Sequence, residues 1–182
     1  MANFLSRLFK KQETKTETNE TVQVNETVQV SSDIEVLSPL AGQVTPLKDI
    51  ADPVFSQEMM GKGIAIEPTE GKVVAPFNGT VAMLFDTKHA IGLMSDEGIE
   101  LLIHVGMDTV QLKGEGFTTH VKNGDRISTG DLLVEFDINV IKEAGYQTTT
   151  PIVVTNTTNY ESIEGTTEST VVTGDCLLKI SK

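Results

Sequence analysis

The sequence predicts an all-β protein, an antiparallel β-sandwich or barrel with one or two short helices. Two observations support this fold class. Short runs that alternate between apolar and polar side chains recur along the chain, and Gly, Pro, Asn and Asp residues separate them. The pattern small-Pro-x-x-Gly-x-Val also occurs twice, at residues 38–44 and 75–81. Each copy leads from one strand through a tight turn into the next, so the repeat indicates a duplicated motif.

The regular elements begin after Asp33, where alternating runs replace a polar sequence. We predict strands at residues 34–37, 63–67, 72–76, 79–85, 89–95, 99–105, 116–121, 131–136, 151–154 and 176–180. One helix is predicted at 138–144, where Gly145 provides a stop signal. A short helical turn is predicted around residues 55–60.

Residues 1–11 are predicted to form an amphipathic segment. On a helix, four apolar side chains would share one arc and three cations would lie opposite them. The apolar residues are Phe4, Leu5, Leu8 and Phe9, and the cations are Arg7, Lys10 and Lys11. This composition is typical of a helix that lies on an anionic membrane surface, where one short helix binds weakly and reversibly. The alternative is an unstructured terminus with a chance pattern.

Residues 12–32 are predicted to be a flexible tail. The hexapeptide Asn-Glu-Thr-Val-Gln-Val occurs twice in succession, at 19–24 and 25–30, within a sequence rich in Thr and Glu. Such a segment buries too little apolar surface to fold alone. The folded domain is therefore expected to span residues 33–182.

The formal net charge of −12 argues against nucleic acid as a partner. Residues 1–32 contain four basic and four acidic residues, so the negative excess lies in residues 33–182 and favours a positively charged partner surface. The single cysteine, Cys176, cannot form an internal disulfide. No apolar run is long enough for a signal sequence or a membrane span. These features predict a reducing, cytoplasmic location.

Two histidines are the reactive groups that the predicted strands present. The strand 99–105 has one wholly apolar face and carries His104 beside Leu102 on the other, while the strand that opens near His89 has Thr87 on the same face as His89. At neutral pH an imidazole is largely unprotonated, so it can accept a phosphoryl group and also release it. A second imidazole nearby could hydrogen-bond the phosphoryl oxygens during transfer. No glycine-rich nucleotide-binding loop of the Walker or kinase type accompanies the pair.

Two other functions use similar residues. The histidine pair could bind zinc, as in a zinc-dependent peptidase, and residues 104–108 have an H-x-x-x-D spacing. A catalytic zinc site usually needs three protein ligands, however, and the remaining histidine, His120, lies in a polar context. The second alternative is a lipoyl- or biotinyl-type module, because a G-D-x-I-x-x-G-D-x-L pattern begins at Gly124. No lysine matches the residue that such a module would modify.

The sequence resembles the glucose-type (type 1) enzyme IIA domain of the bacterial phosphoenolpyruvate-dependent sugar phosphotransferase system over residues 34–182. The most specific stretch is IELLIHVGMDTVQLKGEGF at 99–117. The other matching stretches are LSPLAG (37–42), GIAIEP (63–68), VAPFNGT (74–80), TKHA (87–90), GDLLVEFD (130–137) and TPIVVTN (150–156). The resemblance implies an antiparallel β-sandwich or barrel with a duplicated hybrid motif.

The resemblance also implies a role for individual residues. His104 matches the phosphorylated histidine, with the phosphoryl group expected on Nε2, and His89 matches the histidine that stabilises it. Thr87 matches the hydroxyl in their hydrogen-bond network. Asp52 and Asp108 match carboxylates that are suited to pairing with an arginine of the phosphoryl donor. Five positions match a shallow apolar surface for partners, namely Val54, Phe55, Phe85, Ile91 and Leu102.

The implied activity is one step of a phosphoryl relay. Phosphoenolpyruvate phosphorylates enzyme I, enzyme I phosphorylates HPr, and HPr phosphorylates His104. The group then passes to a cysteine of an enzyme IIB domain and to the sugar imported through IIC. No cofactor is required, although His89 and His104 could hold zinc at a partner interface. The expected protein is a cytoplasmic phosphotransferase component, peripheral to the membrane if residues 1–11 bind there, and its phosphorylation state could inform regulatory target proteins.

Overall fold

The structure, a computed structural model, describes residues 33–182. The predictions of an amphipathic segment at 1–11 and a tail at 12–32 lie outside the described residues. None of the helices in residues 33–182 combines the length and the apolar character that a membrane span requires.

The described residues form fourteen strands and two short α-helices, in agreement with the predicted all-β class. The strands are β1 Ile34–Leu37, β2 Gly42–Pro46, β3 Lys62–Pro68, β4 Lys72–Val74, β5 Gly79–Leu84, β6 Ala90–Ser95, β7 Glu100–His104, β8 Phe117–Thr119, β9 Arg126–Ile127, β10 Leu132–Phe136, β11 Thr150–Val154, β12 Ser162–Gly165, β13 Thr170–Val171 and β14 Cys176–Ser181. The helices are α1 Pro53–Ser56 and α2 Ile138–Glu143, and short 3-10 turns occupy Leu47–Asp49, Thr109–Leu112 and Thr157–Asn159.

Every predicted strand is present, with ends that shift by no more than two residues. Four strands were not predicted, because β9 and β13 contain only two residues each and because β2 and β12 lack a clear alternation of apolar residues. The helical turn predicted at 55–60 is α1 and begins earlier. Asp52 caps it by accepting a hydrogen bond from the Val54 N–H, and Pro53 occupies its first turn, so the start signal precedes the apolar residues.

The strands form three antiparallel sheets. The largest has the order β13-β2-β3-β11-β7-β6-β5-β9, and the two smaller ones have the orders β1-β14-β12 and β4-β10-β8. The large sheet ends in β13 on one side and β9 on the other, so the described residues form an open sandwich rather than a closed barrel. This topology places β7, which carries His104, between β11 and β6 in the interior of the large sheet.

The large sheet buries side chains on both faces, and strand alternation decides which residue enters which core. The main core receives Ile64, Ile66, Leu101, Ile103, Ile152 and Val154 from β3, β7 and β11. The opposite face carries Ala65, Leu102 and Val153 of the same strands, covered by Leu47, Ile50, Phe55 and Met107. His104 lies on this second, thinner face, because it follows Leu102 by two residues.

The repeated Pro-containing motif is paired across an approximate two-fold relation. The Leu37 N–H donates to the Pro76 carbonyl at 3.2 Å, and the Val74 N–H donates to the Pro39 carbonyl at 2.9 Å. The residue before each proline also bonds to a Thr-Gly-Asp turn. The Ser38 N–H donates to the Asp175 carbonyl, and the Ala75 N–H donates to the Asp131 carbonyl. These reciprocal bonds confirm the prediction of a duplicated motif.

Candidate functional site

His104 is the last residue of β7, and its ring is half-buried at the edge of the thinner face. Phe55 of α1 packs beside it, with ring centroids 5.3 Å apart. The strand stops here because the chain turns at Gly106, which has φ +74°. A Cβ atom at this position would lie 2.5 Å from Thr109 Cγ2 and 2.7 Å from the Gln147 carbonyl oxygen, so both space and backbone conformation require glycine.

The turn that follows β7 determines which nitrogen of His104 is reactive. The Nδ1 atom of His104 lies 2.8 Å from the carbonyl oxygen of Gly106. A carbonyl oxygen only accepts hydrogen bonds, so Nδ1 carries the proton and donates it. In the neutral ring the lone pair is then on Nε2, the nitrogen farther from the backbone. This arrangement presents Nε2 as the nucleophile.

His89 lies directly beside His104, at the start of the neighbouring strand β6. Ala90, the next residue, is the cross-strand partner of His104, and the Val105 N–H donates to the His89 carbonyl at 2.7 Å. The two imidazole rings are nearly perpendicular, with centroids 4.8 Å apart. His89 is only 5% exposed, so its ring lies beneath the protein surface and has little contact with solvent.

Thr87 contacts His89, as the family resemblance implies. Its hydroxyl lies 2.7 Å from Nδ1 of His89. A hydroxyl can donate to Nδ1, which leaves the ring proton of neutral His89 on Nε2. In that tautomer His89 is a hydrogen-bond donor to a group bound at His104.

Burial keeps both rings neutral near pH 7. Burial, followed by repulsion from a protonated His104, lowers the pKa of His89 to about 4. Burial also lowers the pKa of His104 below its ordinary value, whereas the hydrogen bond to Gly106 and the carboxylates of Asp52 and Asp108 oppose this change. A lone pair on His104 Nε2 is therefore available at neutral pH.

An acidic cleft lies near His104, and its two carboxylates act on the His104 ring. Asp52 caps α1, its Oδ1 accepting from the Val54 N–H at 2.7 Å, and Asp108 has a left-handed backbone with φ 58°. Both carboxylates, together with Tyr146 and Gln147, line a cleft of about 400 Å³. Sequence reasoning did not find Tyr146 and Gln147, because they lie just after α2, far along the chain from Asp108, and carry no motif.

The predicted apolar surface is only partly exposed. Val54 and Phe85 are each 38% exposed, and the Phe85 ring packs against His89 with centroids 5.6 Å apart. Phe55 and Leu102 are 6% and 8% exposed, so they form the floor beneath the site. Met83, which the sequence reasoning missed, is 53% exposed opposite Gly92 of β6 and extends this surface. The prediction could have used its alternation with Phe85 in the run 79–85.

The expectation that Ile91 faces a partner is wrong. Its side chain is 1% exposed and belongs to the main core. Ile91 is the cross-strand partner of Ile103, and cross-strand partners project from the same face of a sheet. Its neighbours Ala90 and Gly92 therefore face the site instead, and their small size leaves this part of the surface shallow.

The histidine pair has no further metal ligand from within the described residues. No group of three or more His, Cys, Asp or Glu side chains in residues 33–182 is arranged to hold a metal ion. His120 follows β8, and its Nε2 lies 2.8 Å from Oε2 of Glu135 in β10, away from the pair. Any zinc bound by His89 and His104 would need ligands from another molecule.

Comparison with known proteins identifies the family of this chain. Residues 34–160 match the family model of the phosphoenolpyruvate-dependent sugar phosphotransferase system, EIIA 1. The chain is also similar to a solved structure, the glucose permease IIA from Mycoplasma capricolum, with 34% sequence identity and a TM-score of 0.74. That match covers 81% of this chain and 95% of the Mycoplasma chain. The chain therefore belongs to the EIIA 1 family, whose members are phosphoryl carriers of the sugar phosphotransferase system.

Proposed function

We propose that His104 accepts a phosphoryl group on Nε2 from phosphorylated HPr and passes it to a cysteine of an enzyme IIB domain during sugar import. The observation that carries this proposal is the hydrogen bond from His104 Nδ1 to the Gly106 carbonyl, which leaves the Nε2 lone pair free. Family membership supports the same role.

In the accepting step, the lone pair of His104 Nε2 attacks the phosphorus atom of the donor phosphohistidine. The phosphorus–nitrogen bond of the donor breaks, and its electron pair returns to the donor ring. The Nδ1 proton of His104 stays in its bond to Gly106, which stabilises the positive charge that develops on the ring. His89, with its proton on Nε2, donates a hydrogen bond to a phosphoryl oxygen.

In the onward step, a cysteine thiolate of enzyme IIB attacks the same phosphorus atom. The Nε2–phosphorus bond breaks, its electron pair returns to His104, and a sulfur–phosphorus bond forms. His104 accepts the phosphoryl group in the first step and donates it in the second. The same surface therefore binds HPr and enzyme IIB in turn. A nucleophile that is neutral before transfer and neutral after release suits this exchange.

The surface around the histidines suits partners with apolar and basic groups. Val54, Met83 and Phe85 form its exposed apolar part. The carboxylates of Asp52 and Asp108 lie in the adjoining cleft, where an arginine side chain of HPr would pair with them. The negative excess of the domain assists the approach of such a partner.

The proposal requires no cofactor, and zinc would bind only where a partner supplies the missing ligands.

The proposed function places the protein in the cytoplasm, with peripheral membrane contact through residues 1–11. Deletion of residues 1–11 should abolish co-sedimentation with anionic vesicles while HPr-dependent phosphorylation stays intact. Regulatory target proteins would distinguish the free from the phosphorylated site by its charge.

The deciding experiment measures labelled phosphate transfer from phosphoenolpyruvate through enzyme I and HPr to the purified chain. Wild type is expected to take up one phosphoryl group, and His104→Ala is expected to take up none. His120→Ala is the matched control, because His120 lies outside the site, and it should match wild type. Wild-type labelling of His104→Ala would contradict the assignment.

A further inference from the structure

The turn at residues 105–107 orients His104, and its backbone is held by contacts on several sides. The Val105 N–H donates to the His89 carbonyl at 2.7 Å, and the Met107 N–H donates to the Gln147 carbonyl at 2.9 Å. Both of these anchors come from backbone atoms. A substitution at His89 or Gln147 would therefore leave the anchoring atoms in place.

Thr109 supplies an anchor of a different kind. Its hydroxyl donates to the carbonyl oxygen of Val105, and the residue is fully buried. Its methyl group also lies against Gly106, since it is the nearest atom to a Cβ built there. Thr109 thus holds the turn through a side chain, so its contribution can be removed by substitution.

The carbonyls of Val105 and Gly106 belong to consecutive peptide groups. The first is held by Thr109, and the second accepts from Nδ1 of His104 at 2.8 Å. Rotation of one peptide group changes the direction of the next, because only the φ and ψ angles of the shared residue separate them. Fixing the Val105 carbonyl therefore restricts the direction of the Gly106 carbonyl.

We propose that Thr109 is a positioning residue for phosphoryl transfer: its hydroxyl fixes the Val105 carbonyl, and through the turn it keeps the Gly106 carbonyl in place as the acceptor for His104 Nδ1. The functional part of this inference rests on the proposed phosphocarrier role, whereas the structural part does not. Thr109 neither touches the phosphoryl group nor titrates. It acts by determining the tautomer and orientation of His104.

Removal of the hydroxyl leaves the Val105 carbonyl without its partner. A buried carbonyl without a hydrogen bond is unfavourable, so the turn would rotate towards another donor or water. The peptide group of the Gly106 carbonyl would keep its Met107 N–H anchor to Gln147 but lose the restraint from its neighbour, so the carbonyl would turn away from His104 Nδ1 for part of the time. Without this acceptor, the tautomer of neutral His104 with the proton on Nδ1 is less stabilised. The form with an unprotonated Nε2 therefore becomes less populated.

The first test observes His104 directly, without any phosphoryl donor. Nitrogen-15 NMR of the imidazole rings reports which nitrogen carries the proton. Wild type is expected to show protonated Nδ1 and unprotonated Nε2 on His104. Thr109→Val, which replaces the hydroxyl with a methyl group of similar size, should give a mixture of tautomers and a lower pKa of His104. Thr109→Ser keeps the hydroxyl and should restore the wild-type spectrum.

The second test measures the rate of phosphoryl transfer from phosphorylated HPr to the chain. Here kcat is the rate constant of transfer at saturating HPr, and KM is the HPr concentration that gives half of that rate. Misplacement of a reacting group by about 1 Å can reduce a rate about 100-fold, so Thr109→Val is expected to lower kcat about 10- to 100-fold. KM for phosphorylated HPr should change little, because Thr109 is buried and does not reach the partner surface. Thr109→Ser should recover most of the wild-type kcat.

Ser38→Ala is the matched control for a general loss of stability. The Ser38 hydroxyl is also fully buried and donates to a backbone carbonyl, that of Leu40, in the proline motif rather than at the site. This variant should keep both the His104 spectrum and kcat. An unchanged tautomer in Thr109→Val, or an equal change in Ser38→Ala, would overturn the positioning role. Failure of wild type to accept phosphate would overturn the proposed function instead, since the NMR result stands without it.

Discussion

The two faces of the large sheet differ in depth, and this difference locates the site. Towards the main core, β7 and β11 direct branched side chains such as Leu101, Ile103 and Ile152, which are 0–1% exposed. Towards the other face the same strands direct Leu102 and Val153, under a cover that ends beside His104. The deep face buries the larger apolar cluster, and the thin face carries a reactive ring that is partly exposed.

The thin face gives His104 two properties that a deeper core would not combine. It is buried enough for its pKa to fall below the ordinary value, which keeps Nε2 unprotonated at neutral pH. Its side chain is also partly exposed, unlike those of the main core. A residue on the opposite face, such as Ile103, is 0% exposed and could meet no partner.

Replacing Gly106 with alanine is expected to have the largest effect on both properties. The left-handed backbone and the contacts at 2.5 Å and 2.7 Å would force the turn to move. We expect a loss of about 2–4 kcal/mol in the free energy of unfolding and at least a 100-fold loss in the rate of phosphorylation. Urea denaturation and label transfer from HPr measure the two effects.

Gly98→Ala is the control for Gly106→Ala. Gly98 precedes β7 with φ +91°, but a Cβ there would meet nothing within 4 Å. It should lose about 1–2 kcal/mol from backbone strain alone and keep its phosphorylation rate. If both glycine variants lost the same stability and activity, the contacts of the turn would not matter for His104.

Truncations on opposite faces should separate stability from activity. Ile103→Ala creates a cavity in the main core and should lower the free energy of unfolding by about 2–5 kcal/mol. Its folded fraction should still accept phosphate at close to the wild-type rate. Phe85→Ala should cost about 1 kcal/mol or less, because Phe85 is partly exposed, but should raise KM for HPr about 10-fold. The opposite pattern would contradict the division between the faces.

The burial of His89 should appear in the dependence of stability on pH. An unfolded histidine takes up a proton near pH 6.5, whereas the pKa of folded His89 is about 4. Between these values the unfolded state binds more protons, so stability falls as the pH decreases from about 6.5 to about 4. Unfolding curves of wild type and His89→Gln over this range should diverge by about 2–3 kcal/mol. Parallel curves would show that His89 is not buried in a neutral form.

The smallest effects concern two neighbouring positions with opposite orientation. Met83→Ala should raise KM for HPr about threefold without a measurable loss of stability, because its side chain is exposed beside the site. Ile91→Val should cost about 1 kcal/mol of stability and leave KM unchanged, because its side chain lies in the main core. A change in KM for Ile91→Val would show that Ile91 contributes to HPr binding and would contradict its assignment to the main core alone.

Sequence reasoning worked best where local pattern and structure coincide. Alternation identified β7 and its apolar face, and the repeated proline motif predicted a duplicated build, which agrees with the bond from the Leu37 N–H to the Pro76 carbonyl. It failed at Ile91, because a match of sequence position to the family says nothing about which face of β6 a residue occupies. Register with Ile103 answers that question, and register is a property of paired strands.

The sequence by itself determined the all-β class, the positions of most strands along the chain and the two histidines as reactive groups. These follow from periodicity, turn residues and the chemistry of imidazole, all of which are local. Only the tertiary structure brought His89 beside His104, placed the Gly106 carbonyl against His104 Nδ1 and bonded the Thr109 hydroxyl to the Val105 carbonyl. Those relations depend on strand pairing and on a turn held by distant backbone groups, which no short stretch of sequence encodes.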